Sequence, residues 1–318
     1  MNDIVENAMN IYDIRHRFPR LFKFVYGIYF GNLFNRFDQF SQDRLKKADM
    51  KLFRRHMGYS FDMSNPKTFC EKIQWYAFNW HYEEIVKATD KVLFKEYIEQ
   101  RLGPGYTIPL LGHWTDVNEF KKAWGDLPEK FVLKSNLSAD ENNIKIVLDK
   151  SKENVEHVAR EVKKWLDPRN TQLNCVQCNF YRSTPQILAE EYRTNRDGKL
   201  FDYKFFCFDG EPYCIYVNPP GNITFYSLDW KKLDVQYGKY PTGTCDKPKH
   251  FEEMISIARK LSGEYPFVRV DFYDTDEQLY IGEMTFNPGG GMLKYNPKSF
   301  DEELGKIFNI EKYYTNGK

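Results

Sequence analysis

The sequence predicts an α+β fold in which helices pack against antiparallel hairpins. Three observations predict it. Residues 267–291, FVRVDFYDTDEQLYIGEMTFNPGGG, read as two strands, a polar turn and a glycine-rich exit. There Val268, Val270 and Phe272 alternate with Arg269, Asp271 and Tyr273, the period of a half-buried strand. A second hairpin, FDYKFFCFDGEPYCIYV over residues 201–217, turns at Asp209-Gly210. Amphipathic helical stretches precede and separate the two hairpins.

The elements follow in chain order. Residues 1 to about 60 read as amphipathic helix, ending in the basic cluster Lys51, Arg54, Arg55, His56. Within them Leu21–Phe34 is strongly apolar, too short to span a bilayer, and surrounded by Arg15, Arg17, Arg20, Lys23 and Arg36. It fits a helix on an anionic membrane surface, or one packed on the body of the protein; the second is the simpler reading. No signal peptide is visible, so a cytoplasmic location is expected, at the inner face of the membrane if that segment makes contact. Thr68, with Glu71 three residues on, predicts a capping box opening a buried helix through Ile73, Trp75, Tyr76 and Phe78. Thr89 or Asp90 caps the next helix, which carries Lys91, Phe94, Tyr97 and Ile98 and stops at Gly103-Pro104-Gly105. Ile108–Leu111 is a short strand and Val117–Trp124 a short helix. Phe131–Lys134 pairs with Ile144–Leu148 across a polar loop. A helix runs from Ser151 to Leu166, a strand from Gln186 to Glu191, and helices over Phe251–Leu261 and Ser299–Phe308. Residues 218–248 read as loop and extended chain.

Composition bounds the function. The 318 residues, 42% hydrophobic and 17% aromatic, suffice for one large domain or two to three subdomains. Forty-six basic against 45 acidic residues give a net charge of +1, so no basic field exists to hold nucleic acid. Of the cysteines, Cys175 and Cys178 form a lone CxxC, a weak zinc pattern without a second pair. Cys207 and Cys214 are expected to face each other across the hairpin as thiols.

Candidate chemistry concentrates on the last hairpin. Glu283, Thr285 and Asn287 share one face of its second strand. A turn centred near Asp276 sets Arg269 opposite Glu283, with Asp271 on the diagonal. One arginine, two carboxylates, a hydroxyl and an amide on one surface are hard donors suited to Mg²⁺ held jointly with nucleotide phosphates. An ordinary surface hairpin with a salt bridge is the plain alternative. Lys134, at a strand end, suits a phosphate contact or simple solvation. Glu190-Glu191 suit an adenine edge and ribose hydroxyls, or a charged strand end. Lys204 faces with Asp202 and Phe206 and suits phosphate, a substrate carboxylate or a cross-strand ion pair. Asp274-Thr275-Asp276 matches the DxD pattern of some glycosyltransferases, though in a turn Asp is common for other reasons.

These residues carry a resemblance. The blocks NPKTFCEKIQW (65–75), ATDKVLFKEYI (88–98), FVLKSN (131–136), AEEY (189–192), DYKFFCFDG (202–210) and VRVDFY…GEMTFNPGGG (268–291) occur in order. Together they resemble the teichuronopeptide-synthesis type (TupA-like) of ATP-grasp protein. The resemblance implies two α+β subdomains clamping ATP, after an added N-terminal helical segment. It divides the chain into 1–60, an N-terminal subdomain 61–130, a central one 131–192 and a C-terminal one 193–318. It implies a ligase that activates a carboxylate as an acylphosphate for attack by an amine, such as an amino acid. The carboxylate would belong to a uronic-acid-type sugar in capsular or surface polysaccharide synthesis. Lys91 and Lys134 would line the nucleotide cleft, Glu190 and Tyr192 mark the adenine hinge, and Glu191 meet ribose. Lys204 would lie near the transferred phosphate, Arg269 would steady the γ-phosphate, and Asp271, Glu283 and Asn287 would hold Mg²⁺. The loop 135–143 departs from the family's pattern: it has no glycine and contains Asp140 and Glu141, which oppose phosphate unless they point away or meet metal. Two alternatives therefore stand beside the ligase: a glycosyltransferase using Asp274 and Asp276, and a binding module that has lost lid function.

Overall fold

The capping box at Thr68 sets the first well-defined contact surface. Glu71 N–H donates to Thr68 Oγ1 at 3.4 Å, and the Thr68 N–H donates back to Glu71 Oε2 at 3.3 Å. In this computed structural model residues 42–80, 83–137, 143–167, 183–195, 197–198, 200–219, 221–263 and 265–314 are described. The Leu21–Phe34 segment, the Cys175/Cys178 pair and the centre of the 135–143 loop lie outside them.

The helices are α1 (Gln42–Met57), α2 (Phe69–Asn79), α3 (Glu83–Thr89), α4 (Leu93–Leu102), α5 (Val117–Ala123), α6 (Val155–Val162), α7 (Phe251–Ser262), α8 (Ser299–Ile307) and α9 (Glu311–Tyr314). The strands are β1 (Leu110–Trp114), β2 (Phe131–Ser135), β3 (Ile144–Val147), β4 (Ile187–Glu191), β5 (Asp202–Phe208), β6 (Glu211–Asn218), β7 (Thr224–Ser227), β8 (Gln236–Tyr237), β9 (Phe267–Asp274), β10 (Leu279–Thr285) and β11 (Tyr295–Asn296). They form a four-stranded sheet in the order β1-β4-β2-β3, a five-stranded sheet β10-β9-β5-β6-β7, and a ribbon β11-β8. Every pairing is antiparallel.

Each large sheet has its own apolar core. Phe120, Phe131, Leu133, Val147, Val158, Val162 and Ile187 bury α5 and α6 against the smaller sheet. The larger core joins α2, α3, α4, α7 and α8 to the five-stranded sheet. Phe69 of α2 packs its ring on Phe206 at 5.6 Å and Phe267 at 4.9 Å. So α2 to α4, early in the chain, pack with the sheet built from residues 202–285, while β1 joins the smaller sheet beside β4.

Four local expectations need correction. Lys91 lies in a turn between α3 and α4, not inside a helix; Asp90 Oδ1 accepts from the Val92 and Leu93 N–H groups at 2.9 and 3.3 Å and delays the helix start. Arg269 faces Thr285, and Glu283 faces Asp271, two residues from the expected register: the turn pairs Leu279 with Asp274, one step beyond a turn centred on Asp276, and a bulge at Gly282 adds the second. Only glycine suits that bulge: a Cβ there would lie 2.6 Å from the Tyr273 ring. Cys207 faces Pro212 while Cys214 faces Phe206, since Tyr213 is bulged out; both cysteines are free thiols. Finally, residues 218–248, read as loop and extended chain with no strand assigned, hold β7 and β8: Thr224, Phe225 and Tyr226 of β7 are buried and β8 is half-buried, so their patterning shows no alternation.

The Asp209-Gly210 turn is as expected, with φ of 49° and 86° closing β5 onto β6. The glycine-rich exit after β10 is pinned to α2: Gln74 Nε2 donates to the Gly290 carbonyl at 2.5 Å, and Gly291, at φ 65°, has Gln74, Ile73 and Cys70 where a Cβ would go.

Candidate active site

Antiparallel register brings polar side chains from three strands into one row. Across the five-stranded sheet Glu283 faces Asp271, and Asp271 faces Lys204 on its other side. Directly paired residues point to the same face, so their charges must meet. Lys204 Nζ lies 2.6 Å from Asp271 Oδ2 and 3.4 Å from Asp202 Oδ2. Arg269 donates to the same carboxylate twice, Nε to Oδ1 at 2.7 Å and Nη2 to Oδ2 at 2.6 Å, a bidentate pair. Arg269 Nη2 also donates to Thr285 Oγ1 at 3.0 Å, and the Thr285 hydroxyl donates to Glu283 Oε1 at 2.8 Å. Asp271 is 2% exposed.

The electrostatics follow from this packing. Burial opposes the charge on Lys204, but the Asp271 and Asp202 carboxylates together outweigh it and hold the ammonium protonated far above neutrality. Arg269 behaves alike: burial opposes its charge and Asp271 restores it. Burial alone would raise the Glu283 carboxyl; Lys91, Arg269 and Lys204 instead push it down to about 2.

A second cluster sits on the smaller sheet. Glu190 accepts from Lys95 Nζ at 2.5 Å and from Lys134 Nζ at 2.6 Å. Burial would keep it neutral, but the two lysines, Lys134 foremost, push it down to about 2. Lys134 faces Ile144, and Val132 faces both Ile146 and Glu190, so these side chains share one face. On that face Ile144 is 37% and Ile146 56% exposed, which is apolar surface beside charge.

Lys91 connects the clusters. Its N–H donates to the Asn136 carbonyl at 3.2 Å just past β2, and its Nζ lies 4.0 Å from Glu283 Oε2 on the other sheet. Asn136 Nδ2 donates to Asp90 Oδ2 at 2.7 Å, which fixes the turn that carries Lys91.

A family model for TupA-like ATP-grasp proteins matches residues 71–309. The chain belongs to the TupA-like ATP-grasp family. The α+β architecture described above is thus the ATP-grasp fold, preceded among the described residues by α1. No curated protein matches the chain. Among solved structures it is similar to D-alanyl-alanine synthetase A from Vibrio cholerae O1 biovar eltor, at 13% identity and TM-score 0.40, over 63% of this chain and 56% of that one. It is also similar to D-alanine-D-alanine ligase from Helicobacter pylori, at 15% identity and TM-score 0.41, over 64% and 55%. A third is the biotin carboxylase domain of a Hydrogenobacter thermophilus 2-oxoglutarate carboxylase, at 18% and 0.40, over 65% and 41%. This TupA-like ATP-grasp chain spans about half the length of the solved structures it matches.

Within the TupA-like ATP-grasp chain, contacts join Lys204, Arg269 and Asp271 directly, Glu283 through Thr285, and Lys91 to Glu283. Lys134 and Glu190 pair on the other sheet. Glu191 follows Glu190 with its N–H on the Pro109 carbonyl at 3.1 Å and its carboxylate on Arg193. Tyr192 lies half-buried just past β4. Asn287 stands two residues beyond β10, buried, its Nδ2 3.5 Å from the Ile73 carbonyl of α2. Asp274 is turned into the fold, where its Oδ1 lies 2.5 Å from His250 Nδ1, while Asp276 takes an N–H bond to Asn195 Oδ1 in the turn. Sequence reading missed Lys95, four residues after Lys91, and the exposed Ile144 and Ile146, whose alternation beside Lys134 was the available signal. It also left out Asp202, whose Oδ1 is buried with no hydrogen-bond partner among the described residues.

Proposed function

We propose that this protein is an ATP-dependent, ADP-forming carboxylate–amine ligase. The observation that carries the reading is the cross-strand row Glu283, Asp271, Lys204, with Arg269 bidentate on Asp271 and Lys91 reaching in from the nucleotide side. Phosphoryl transfer needs positioning and neutralised charge more than a nucleophilic side chain, and this row supplies both.

The roles follow from place and charge. Lys134 and Lys95, oriented by Glu190, meet the α- and β-phosphates. The exposed Ile144 and Ile146 and half-buried Val132 offer an apolar wall to the purine, whose edge reads the backbone of Glu190 to Tyr192. Glu191 and the unpartnered Asp202 Oδ1 are the hydroxyl acceptors for ribose. Arg269 and Lys204 hold charge on the γ-phosphate as the acceptor carboxylate oxygen forms a bond to phosphorus and the bond to the ADP oxygen breaks. The amine nitrogen then bonds to the acyl carbon, the carbon–oxygen bond to phosphate breaks, and inorganic phosphate and one proton leave.

The donor set fits Mg²⁺. Asp271 and Glu283 are two hard carboxylates with Thr285 Oγ1 between Glu283 and Arg269, and Asn287 follows on the same segment. Among the described residues no three of His, Cys, Asp and Glu converge on one point, so a cation here needs phosphate oxygens to complete its shell, as Mg²⁺ commonly does. When bound it would supply positive charge that offsets the charge of the phosphates.

The substrate reading is a uronic-acid-type carboxylate of a capsular or surface polysaccharide precursor and an amino acid or similar amine, acted on in the cytoplasm at the inner membrane face. Its support is the family and the Leu21–Phe34 pattern. Among the described residues no helix is long and apolar enough to cross a membrane. The test is ADP release with ATP-Mg²⁺, twenty amino acids and a panel of uronic-acid donors. Turnover that needs both acid and amine, and that is lost in Asp271→Ala and Glu283→Ala, supports the ligase. Turnover persisting in both variants removes the proposed metal site.

A further inference from the structure

Two buried polar residues take no part in the roles above. Asn136, just past β2, is 0% exposed, and Asp90, between α3 and α4, is 2% exposed. Every polar atom of Asn136 has a partner. Its Nδ2 donates to Asp90 Oδ2 at 2.7 Å and to the Thr184 carbonyl at 2.9 Å. Its Oδ1 accepts from the Gln186 N–H at 2.7 Å, and its own N–H donates to the Gln186 carbonyl at 3.1 Å. Its carbonyl accepts from the Lys91 N–H at 3.2 Å. Three segments therefore meet at one residue: the end of β2, the approach to β4, and the turn that carries Lys91. The first two belong to the smaller sheet. The turn belongs to the larger body, because Ile85 and Ala88 of α3 and Phe94, Tyr97 and Ile98 of α4 lie in the larger core.

Only a primary amide fills this place. Two donors and one acceptor are taken from a single side chain, which a carboxylate does not supply. Aspartate here would set one buried carboxylate against another. Asp90 is equally committed: its other oxygen accepts from the Val92 and Leu93 N–H groups, which gives the turn its shape.

We infer that Asn136 is a positioning residue for the nucleotide and acts through Lys91. By holding Asp90 it fixes, before any ligand arrives, the spacing between Lys134 on the smaller sheet and Lys91 at the larger one. This rests on the nucleotide reading of the cleft and adds what sets its two lysines in register. Lys134 stands two residues before Asn136. Lys91 follows Asp90 directly, and its Nζ lies 4.0 Å from Glu283 Oε2. A phosphate chain held by both lysines needs them at one separation. Ordering the turn during folding removes that ordering cost from binding, which is what preorganisation means physically.

The test is a mutant cycle on affinity for a non-hydrolysable ATP analogue with Mg²⁺, measured by titration calorimetry. Asn136→Asp and Lys91→Met should each weaken binding at least tenfold. Combined, they should bind no more than threefold weaker than Lys91→Met alone, because one acts through the other. Asp90→Asn together with Asn136→Asp puts a donor and an acceptor back in contact, losing only the bond to Thr184, and should recover binding to within threefold of wild type. Losses that multiply in the combined variant overturn the inference. So does wild-type affinity in either single variant, or an exchange pair as weak as Asn136→Asp. Hydrogen exchange on the wild type needs no variant to fold. The Lys91, Val92 and Leu93 amides should be protected without nucleotide and change less than twofold when the analogue binds; protection that appears only with the analogue overturns the inference. ADP release is scored separately. A non-additive cycle without ADP release for any acid–amine pair defeats the ligase reading and leaves the role of Asn136 standing. An additive cycle beside acid- and amine-dependent release does the reverse.

Discussion

Lys204 on β5 and Asp271 on β9 stand directly opposite each other, with 2.6 Å between ammonium and carboxylate, and Arg269 closes on the same carboxylate from its own strand. Two cations thus share one buried anion. That arrangement concentrates positive charge on one face of the sheet without letting the cations repel each other apart.

Asp271→Asn should accordingly be destabilising in the absence of nucleotide. It removes the carboxylate that both cations share, leaving Lys204 with Asp202 at 3.4 Å, and breaking buried pairs of this kind costs about 3–5 kcal/mol. Urea unfolding with and without ATP-Mg²⁺ measures it. A variant as stable as wild type would mean the cations relax outward to solvent.

Ile146→Asp separates nucleotide binding from folding. The side chain is 56% exposed, so its loss should shift stability by less than about 0.5 kcal/mol. On the face shared with Lys134 the new charge should weaken ATP binding at least tenfold, read as a dissociation constant by fluorescent-nucleotide displacement. Unchanged affinity would remove Ile146 from the adenine wall.

Acid stability should depend on Glu190. Its folded-state value, pushed down to about 2, lies below its ordinary 4.5, so its ionised pairing with Lys95 and Lys134 stabilises fully above pH 4.5 and is lost as pH falls towards 2. Wild type should therefore lose on the order of 2 kcal/mol over that window through this group. In Glu190→Gln the unfolding free energy should fall less steeply between pH 5 and about 2. Equal slopes would show that the cluster does not govern acid unfolding.

Gly282→Ala should cost about 1–3 kcal/mol, because the added Cβ meets the Tyr273 ring. Paired with Tyr273→Ala, the penalty should be far smaller than on the wild-type background, a non-additivity that a double-mutant cycle on chemical denaturation reads directly. An additive cycle would place the strain in the backbone of the bulge.

Much of this was legible in the chain. Strong period-two patterning announced β9 and β10, and the capping box at Thr68 announced α2. Arg269, Asp271, Glu283 and Thr285 were placed on one face correctly. Their register was not: the turn is one step wider than one centred on Asp276, and the bulged glycine at 282, which reads locally as an ordinary small residue, adds a second step. Lys95 and its partner Glu190 are 95 positions apart in sequence, and only the folded chain brings them together. The buried strand β7 escaped for a different reason: with both faces covered, it has no alternation to read.

Lys91 belongs to the first sheet by its main chain and to the second by its charge. The gap between the two walls is therefore gauged by the length of one aliphatic stem of four methylenes. A shorter cation at this position would keep the charge and lose the span, so the reach of a single side chain decides whether the two walls stay in electrostatic touch.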